Sequence, residues 1–404
     1  MKPRSILYVI ALAAIVLASC APAASAPAAC TSDPAGCAKV PAGQTIKIGM
    51  GAPMTGDNAS YGIDISQGGK VAVVDAGDFQ GWKFELVAQD DGGTGEGGAA
   101  VANKFVADPT VVAIAGHIFS GATAAAIPIY EKAMYPMLSP SATNPDLTKP
   151  DPTTGVQNKV FNRIPFTDAQ QGKFAAAYLA NKLSVKKLAI LHDGTTYGKG
   201  LASVVQTEFA KLGTVTSFDA ITPGESDYTA VLAKVAANKP DALYYGGYTP
   251  EAVVLVNELK QTGLTNTIFF GDDGTFGDEF LKRTGANGEG AYAVALTPPS
   301  SPAKTKFDAA YLATFGKAAG SLSPYTWNGY DVVAALISVA KTVGIKGADG
   351  NMYFPRSAMV NGVRHLTNYQ GISGVFTCDA TGECNSSSPV FFIVKNGQWV
   401  EAPK

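Results

Sequence analysis

Two successive series of alternating strand and helix patterns run through this 404-residue chain, and they restrict its fold more than any other feature. Short apolar runs at 46–50, 84–89, 111–115 and 136–138 alternate with helical patterns at 63–75, 97–107 and 121–134. The run 111–115, Val-Val-Ala-Ile-Ala, is apolar throughout, as a parallel strand covered on both faces requires. After a Pro-rich stretch at 145–152 the pattern restarts, with helices at 169–182, 198–211, 228–237 and 250–260 and strands at 187–191, 214–218, 242–245 and 267–270. Repeated βα units demand parallel sheets with right-handed crossovers. The fold class is therefore α/β, with two doubly wound parallel-sheet lobes. Such sheets bind ligands beyond the carboxyl ends of their strands. The turns after 111–115 and 136–138, and their counterparts after 242–245 and 267–270, are thus expected to face each other across a ligand cleft.

The N-terminus points to export. Lys2 and Arg4 precede an apolar run, 6–17, that is short for a membrane span and reads as a signal peptide. It ends in Leu17-Ala18-Ser19-Cys20, which is similar to a bacterial lipobox, so residues 1–20 read as signal peptide and lipobox with Cys20 the acylated residue. Acyl chains on that cysteine would hold the protein on a membrane durably. An ordinary secretory signal is the alternative. Residues 21–44, rich in Ala, Pro, Gly and Ser, are expected to form a flexible tether.

Five cysteines less Cys20 leave two close pairs, Cys30 with Cys37 and Cys378 with Cys384. An extracytoplasmic compartment permits disulfides in both. Neither pair has CxxC spacing or a nearby histidine, so no metal site is expected. The balance of 31 basic and 33 acidic residues, without a basic patch, argues against nucleic acid as a partner. The chain carries no GxSxG, GxxxxGK[ST] or HExxH motif, and its histidines, His117, His192 and His365, are scattered. A hydrolase using Asp90-Asp91 or Asp272-Asp273 is the enzymatic rival. The main reading is not an enzyme.

The turns carry a family resemblance. Ile48-Gly49 with Gly56 and Tyr61-Gly62, Gln89-Asp90-Asp91, Gly116-His117-Ile118-Phe119-Ser120, Ser139-Pro140-Ser141-Ala142-Thr143, His192-Asp193, Tyr197-Gly198-Lys199-Gly200 and Tyr244-Tyr245-Gly246-Gly247-Tyr248 follow one another in a specific order and spacing. Over about 46–400 the chain resembles the periplasmic leucine/isoleucine/valine-binding protein family, the type I solute-binding proteins of ABC transporters. The resemblance implies the type I periplasmic binding protein fold, with lobe one at 45–166 plus 297–371 and lobe two at 167–296 plus 372–404. It also implies a tail strand pair, 374–377 with 390–395, whose loop Cys378–Cys384 clamps.

The resemblance further implies an extracytoplasmic binding protein that acts as a monomer, needs no cofactor, captures an apolar, branched-chain type amino acid and delivers it to permease subunits. It places Ser120 and Thr143 on the ligand carboxylate, with backbone N–H groups at helix starts. Ser141, Ala142 and Thr143 form the lobe-one loop, the Ser141 carbonyl and Thr143 hydroxyl facing the ammonium. Asp273 supplies negative charge from lobe two, and Tyr197 and Tyr248 close over the ligand. Tyr61, Ile118, Phe119 and Tyr325 line the side-chain end. Other readings stay open: Ser120 and Thr143 as helix caps, Asp272 as the ammonium partner, Ile118 and Phe119 as core. The prototype has glutamate at the position of Asp273, which moves the ammonium contact by roughly 1.3–1.5 Å, and a disulfide where this chain has Gly93 and Phe119. A short amide, urea or aromatic acid is the alternative ligand. A surface receptor feeding no transporter is the remaining rival.

Overall fold

The computed structural model describes residues 26–403. The signal peptide, the lipobox and Cys20 lie outside the described residues, as does the start of the tether. The chain then enters through α1 (Ala28–Ser32) and β1 (Cys37–Val40), joined by the Cys30–Cys37 disulfide.

The first sheet takes β2 (Ile46–Ala52), β3 (Phe84–Asp90), β4 (Val111–Ala115), β5 (Met137–Ser139) and β6 (Phe161–Arg163), in the order β3-β2-β4-β5-β6. All its pairings are parallel. Helices α2 (Ala59–Ala76), α3 (Gly95–Ala107) and α4 (Ser120–Ala133) are its crossovers. After β6 the chain passes through α5 (Asp168–Asn181) to a second sheet. There β7 (Lys187–His192), α6 (Thr196–Phe209), β8 (Thr214–Ala220), α7 (Thr229–Ala237), β9 (Ala242–Gly246), α8 (Thr249–Glu258), β10 (Ile268–Phe270), α9 (Asp278–Thr284) and β11 (Tyr292–Ala295) follow. Their order, β8-β7-β9-β10-β11, repeats that of the first sheet. In each sheet the first strand sits between the second and third, so the winding reverses there. The crevice beyond the strands at that reversal is where such folds bind ligands.

The return path runs through α10 (Pro302–Phe315), α11 (Thr326–Val343), β12 (Ile345–Lys346), β13 (Met352–Pro355), α12 (Arg356–Arg364), β14 (Tyr369–Gln370), β15 (Val375–Phe376), β16 (Val390–Lys395) and β17 (Gln398–Glu401). Helix α11 lies against α2 at very short range. A Cβ on Gly68 would stand 2.2 Å from the Thr326 carbonyl oxygen, and one on Gly329 2.3 Å from that of Ile65. Only glycine permits this approach of two backbones.

Two expectations are corrected. The tether is structured from Ala28, because β1 pairs antiparallel with β13 from Cys37↔Pro355 to Val40↔Met352 and its apolar residues Ala38 and Val40 are buried. The tail strands do not pair with each other. β15 pairs with β14, whereas β16 pairs with β11 and with β17. The cause is local: Asn396 and Gly397 both take positive φ, the geometry that closes a tight β16–β17 hairpin. The Cys378–Cys384 disulfide therefore closes a loop on β6, where the Arg163 N–H bonds the Gly382 carbonyl at 2.9 Å.

Several carboxyls are buried where elements meet. Asp64 of α2 accepts from Tyr311 at 2.5 Å and from Thr326, and Asp331 of α11 accepts from the Ile372 and Ser373 N–H groups, both at 2.8 Å. Burial raises the pKa of Asp64, Asp331 and Asp193 to about 6. Unfolded, each would titrate at about 3.9. The native state thus holds more protons between those values, and the associated stability is present at low pH and lost as pH rises through 6. His192, whose pKa burial lowers, acts in the opposite sense. Moving from pH 7.5 to 5.5 is expected to stabilise the ligand-free protein by at least about 1 kcal/mol. Calorimetric melts across that range check this; a melting temperature that falls towards pH 5.5 contradicts it.

Candidate functional site

The strand ends at the two winding reversals meet around one small, partly open cavity. From the first sheet and α11 it is lined by Tyr61, Ile118, Phe119, Ser120, Ser141 and Tyr325. From the second sheet come Tyr197, Tyr248, Asp273 and Gly274. A larger groove beside Ile127 and Pro152 runs along the outer face of α4, away from these strand ends.

Ser120 begins α4 as its first helical residue, with Phe119 at the capping position. The opening N–H groups of a helix have no partner within it and attract negative charge. The Ser120 hydroxyl accepts the Asn144 N–H at 3.3 Å, which leaves its proton available. The Ser141 hydroxyl donates to the Ile118 carbonyl at 2.7 Å and so pins the two loops together. Ala142 and Thr143 stand behind the wall instead of on it. The Ala142 carbonyl is bonded by Arg163 at 3.1 Å, and Thr143 is fully buried. Neither Ser120 nor Thr143 caps a helix with its side chain.

Asp273 holds the centre of the opposite wall. Its Oδ1 accepts from the Tyr197 hydroxyl at 2.6 Å and the Gln171 amide at 2.5 Å, and its Oδ2 from the Tyr325 hydroxyl at 2.7 Å. Asp272 turns away from the cavity and accepts the Gly247 N–H at 2.9 Å. Burial, then the proximity of Asp273, pushes the Asp272 pKa far above the carboxylate range. Burial raises that of Asp273 as well, but the Tyr197, Gln171 and Tyr325 donors oppose the rise. The three donors that converge on Asp273 therefore favour the charge there over Asp272. Burial and the adjacent carboxyls also push all four cavity tyrosines well above 10, so they remain neutral donors.

The lobes touch directly. Phe119 stacks on Tyr248 with ring centroids 4.3 Å apart, and the Tyr61 hydroxyl donates to the Asp273 carbonyl at 3.0 Å. The Asn144 amide donates to the Thr196 carbonyl at 2.7 Å. Ile118 and Phe119 are buried, and both face the cavity. Gly93 abuts Phe119: a Cβ there would lie 2.7 Å from Cδ2 of the ring. His117 is enclosed in lobe one, between Asp91 at 2.7 Å and the Tyr130 hydroxyl at 3.1 Å.

Gln171, Asp168 and Arg163 were absent from the sequence-based set. Asp168 is buried, and burial followed by the charge of Asp273 raises its pKa strongly. The signal for the helical pair was present: Asp168 and Gln171 are three apart at the start of α5, overlapping a Thr167–Gln170 capping box. Among the described residues no cluster of three or more metal-binding side chains forms. No described helix is long and apolar enough to cross a membrane.

The sequence profile of a family described as periplasmic binding protein matches residues 45–398. An amino acid binding protein of Pseudomonas aeruginosa is 36% identical over 59% of this chain and 63% of its own length. Leu/Ile/Val-binding protein homolog 1 of Brucella abortus is 33% identical over 74% of this chain and 79% of its own. Among solved structures, the leucine-binding protein LivK of Thermotoga maritima superposes with a TM-score of 0.78 at 27% identity, covering 89% of this chain and 98% of that one.

Proposed function

The chain belongs to the periplasmic binding protein family, and from that premise we infer that it captures an apolar, branched-chain type amino acid outside the cytoplasm and delivers it to an ABC transporter. The observation that carries the ligand class is the charge layout of the cavity. One carboxylate, Asp273, is held by three neutral donors, the start of α4 lies on the other lobe, and no second charged side chain lines the wall. A zwitterion supplies the missing cation at Asp273 and an anion for the helix start. Its apolar side chain would lie among Tyr61, Ile118, Phe119 and Tyr325, where burying an aliphatic group contributes roughly 1.5–3 kcal/mol. The names of the Brucella and Thermotoga relatives point the same way.

In this reading Ser120 and the α4 N–H groups hold the carboxylate, and the Ser141 carbonyl shares the ammonium with Asp273, while Ala142 and Thr143 support that wall from behind. Tyr197 and Tyr248 close from lobe two. The working cycle is an opening and closing of the lobes, which a ligand biases only by its preference for the closed form. The protein acts as a monomer, processed at the lipobox, with Cys20 acylated and the permease subunits as its partners. Lobe one comprises 45–166 with 297–371, and lobe two 167–296 with most of the tail.

Leucine, isoleucine or valine at 100 times its dissociation constant is expected to stabilise the mature protein by about 2.7 kcal/mol. It should also reduce the radius of gyration, whereas lysine and glutamate should do neither. A thermal-shift panel of amino acids and short amides, with small-angle scattering on each hit, makes the test. Shifts with an amide or urea and none with apolar amino acids would overturn the ligand assignment.

A further inference from the structure

Arg163, the last residue of β6, is fully buried and divides its guanidinium between two distant parts of the chain. On one side Nη1 donates to the Ala142 carbonyl at 3.1 Å and the Asn144 carbonyl at 2.6 Å. These carbonyls flank Thr143, two residues beyond the cavity wall at Ser141. On the other side Nε donates to both carboxylate oxygens of Glu383, at 2.9 and 3.1 Å, and Nη2 reaches Glu383 and the Thr148 hydroxyl. A planar guanidinium suits this task because its donors fan out in fixed directions towards a carboxylate and two carbonyls at once.

Glu383 lies within the short loop that the Cys378–Cys384 disulfide closes. That loop is docked on β6 at its C-terminal end. The Arg163 N–H bonds the Gly382 carbonyl and the Cys384 N–H bonds the Arg163 carbonyl, each at 2.9 Å. A Cβ on Gly382 would stand 2.3 Å from the Phe161 carbonyl oxygen, so the loop rests on the strand without a side chain between them. Asp379 ties the loop internally through the N–H groups of Thr381, Gly382 and Glu383. Arg364 braces its outer half at the Ala380 carbonyl, 2.7 Å away. At the cavity end, Asn144 donates its N–H to Ser120 and its side-chain amide to Thr196 of the opposite lobe. The residue gripped by Arg163 therefore touches both the helix start at the cavity and the contact that joins the lobes.

We propose that Glu383, presented by the Cys378–Cys384 loop, is a positioning residue for ligand binding: it holds Arg163, and Arg163 holds the 142–144 loop in its binding geometry. Without the carboxylate the buried guanidinium lacks its counter-charge and the two carbonyls lose a fixed donor. The inference rests on the amino-acid reading for its affinity arm and on the structure alone for its second arm.

The full mature protein and its E383A, E383Q and C378S/C384S variants are compared, with C30S/C37S as the control at the other disulfide. Leucine titrations are run well below each melting temperature, and amide hydrogen exchange is followed at 141–148 without ligand. Glu383→Ala should raise the leucine dissociation constant at least tenfold and speed exchange at 141–148, with Glu383→Gln intermediate. C378S/C384S should follow E383A to a smaller extent, and C30S/C37S should lower the melting temperature without changing affinity. Unchanged exchange at 141–148 in E383A overturns the proposal, and so does unchanged affinity in a variant whose parent binds leucine. A parent that binds no apolar amino acid defeats the ligand assignment instead, and the exchange measurement then decides the clamp.

Discussion

Asp273→Asn is expected to weaken amino-acid binding by about 2–4 kcal/mol, on the order of a 30- to 1,000-fold rise in the dissociation constant. The substitution keeps the size of the side chain and removes its charge. A ligand ammonium would then be buried against a neutral amide, whose NH2 would face either Tyr325 or the Tyr197–Gln171 pair in place of an acceptor. Asp272→Asn should cost much less, because Asp272 does not line the cavity and bonds the Gly247 N–H instead. Calorimetric titration of both variants separates them. If Asp272→Asn proves the more damaging, the charge sits on Asp272 and the assignment of the pair is reversed.

Gly68→Ala is expected to destabilise lobe one by about 3 kcal/mol, near the upper end for overpacking. Alanine favours a helix over glycine by up to about 1 kcal/mol, so propensity alone predicts the opposite sign. The clash decides: the added methyl would meet the backbone oxygen of Thr326, which has no rotamer through which to retreat. Gly95→Ala, in the first turn of α3, supplies the contrast. Its Cβ meets nothing nearer than 3.7 Å, so that variant should be neutral or gain a few tenths of a kcal/mol. Denaturant unfolding of the two variants checks the pair of signs. A Gly68→Ala protein as stable as the parent would mean that α2 and α11 cross less closely. Tyr325 immediately precedes α11, so a shift of that helix should also draw its hydroxyl from Asp273 and weaken binding.

The parallel core was legible because burial on both faces writes unbroken apolar runs such as Val111–Ala115, and glycine-rich turns mark the strand ends. The lining of the cavity was legible for a related reason. Tyr61, Ser120, Tyr197, Tyr248 and Asp273 each lie just beyond or shortly after a strand, where the winding makes a cleft. What escaped was of two kinds. β1 and β13 have few residues, and their pairing joins Val40 to Met352 across most of the chain, so no local pattern reports it. Arg163 and Glu383 likewise meet over 220 positions, and each alone reads as an ordinary surface charge. The tail register was a different matter: Asn396-Gly397 announces a hairpin, and the family-based pairing of 374–377 with 390–395 overrode that local cue.

Strand β1 also has a mechanical meaning if Cys20 bears the lipid. The chain enters the fold on the side of the first sheet, locked by β13 and by Asp33, which accepts from the Ser357 N–H at 2.9 Å. Cys20 precedes Pro27 by seven positions, so the leash to the bilayer extends at most roughly 25 Å. One lobe would then be the stator, moored beside the membrane, and the other the moving jaw. Encounter with a membrane-embedded transporter would become a search across a surface at high effective concentration, in place of diffusion through a volume.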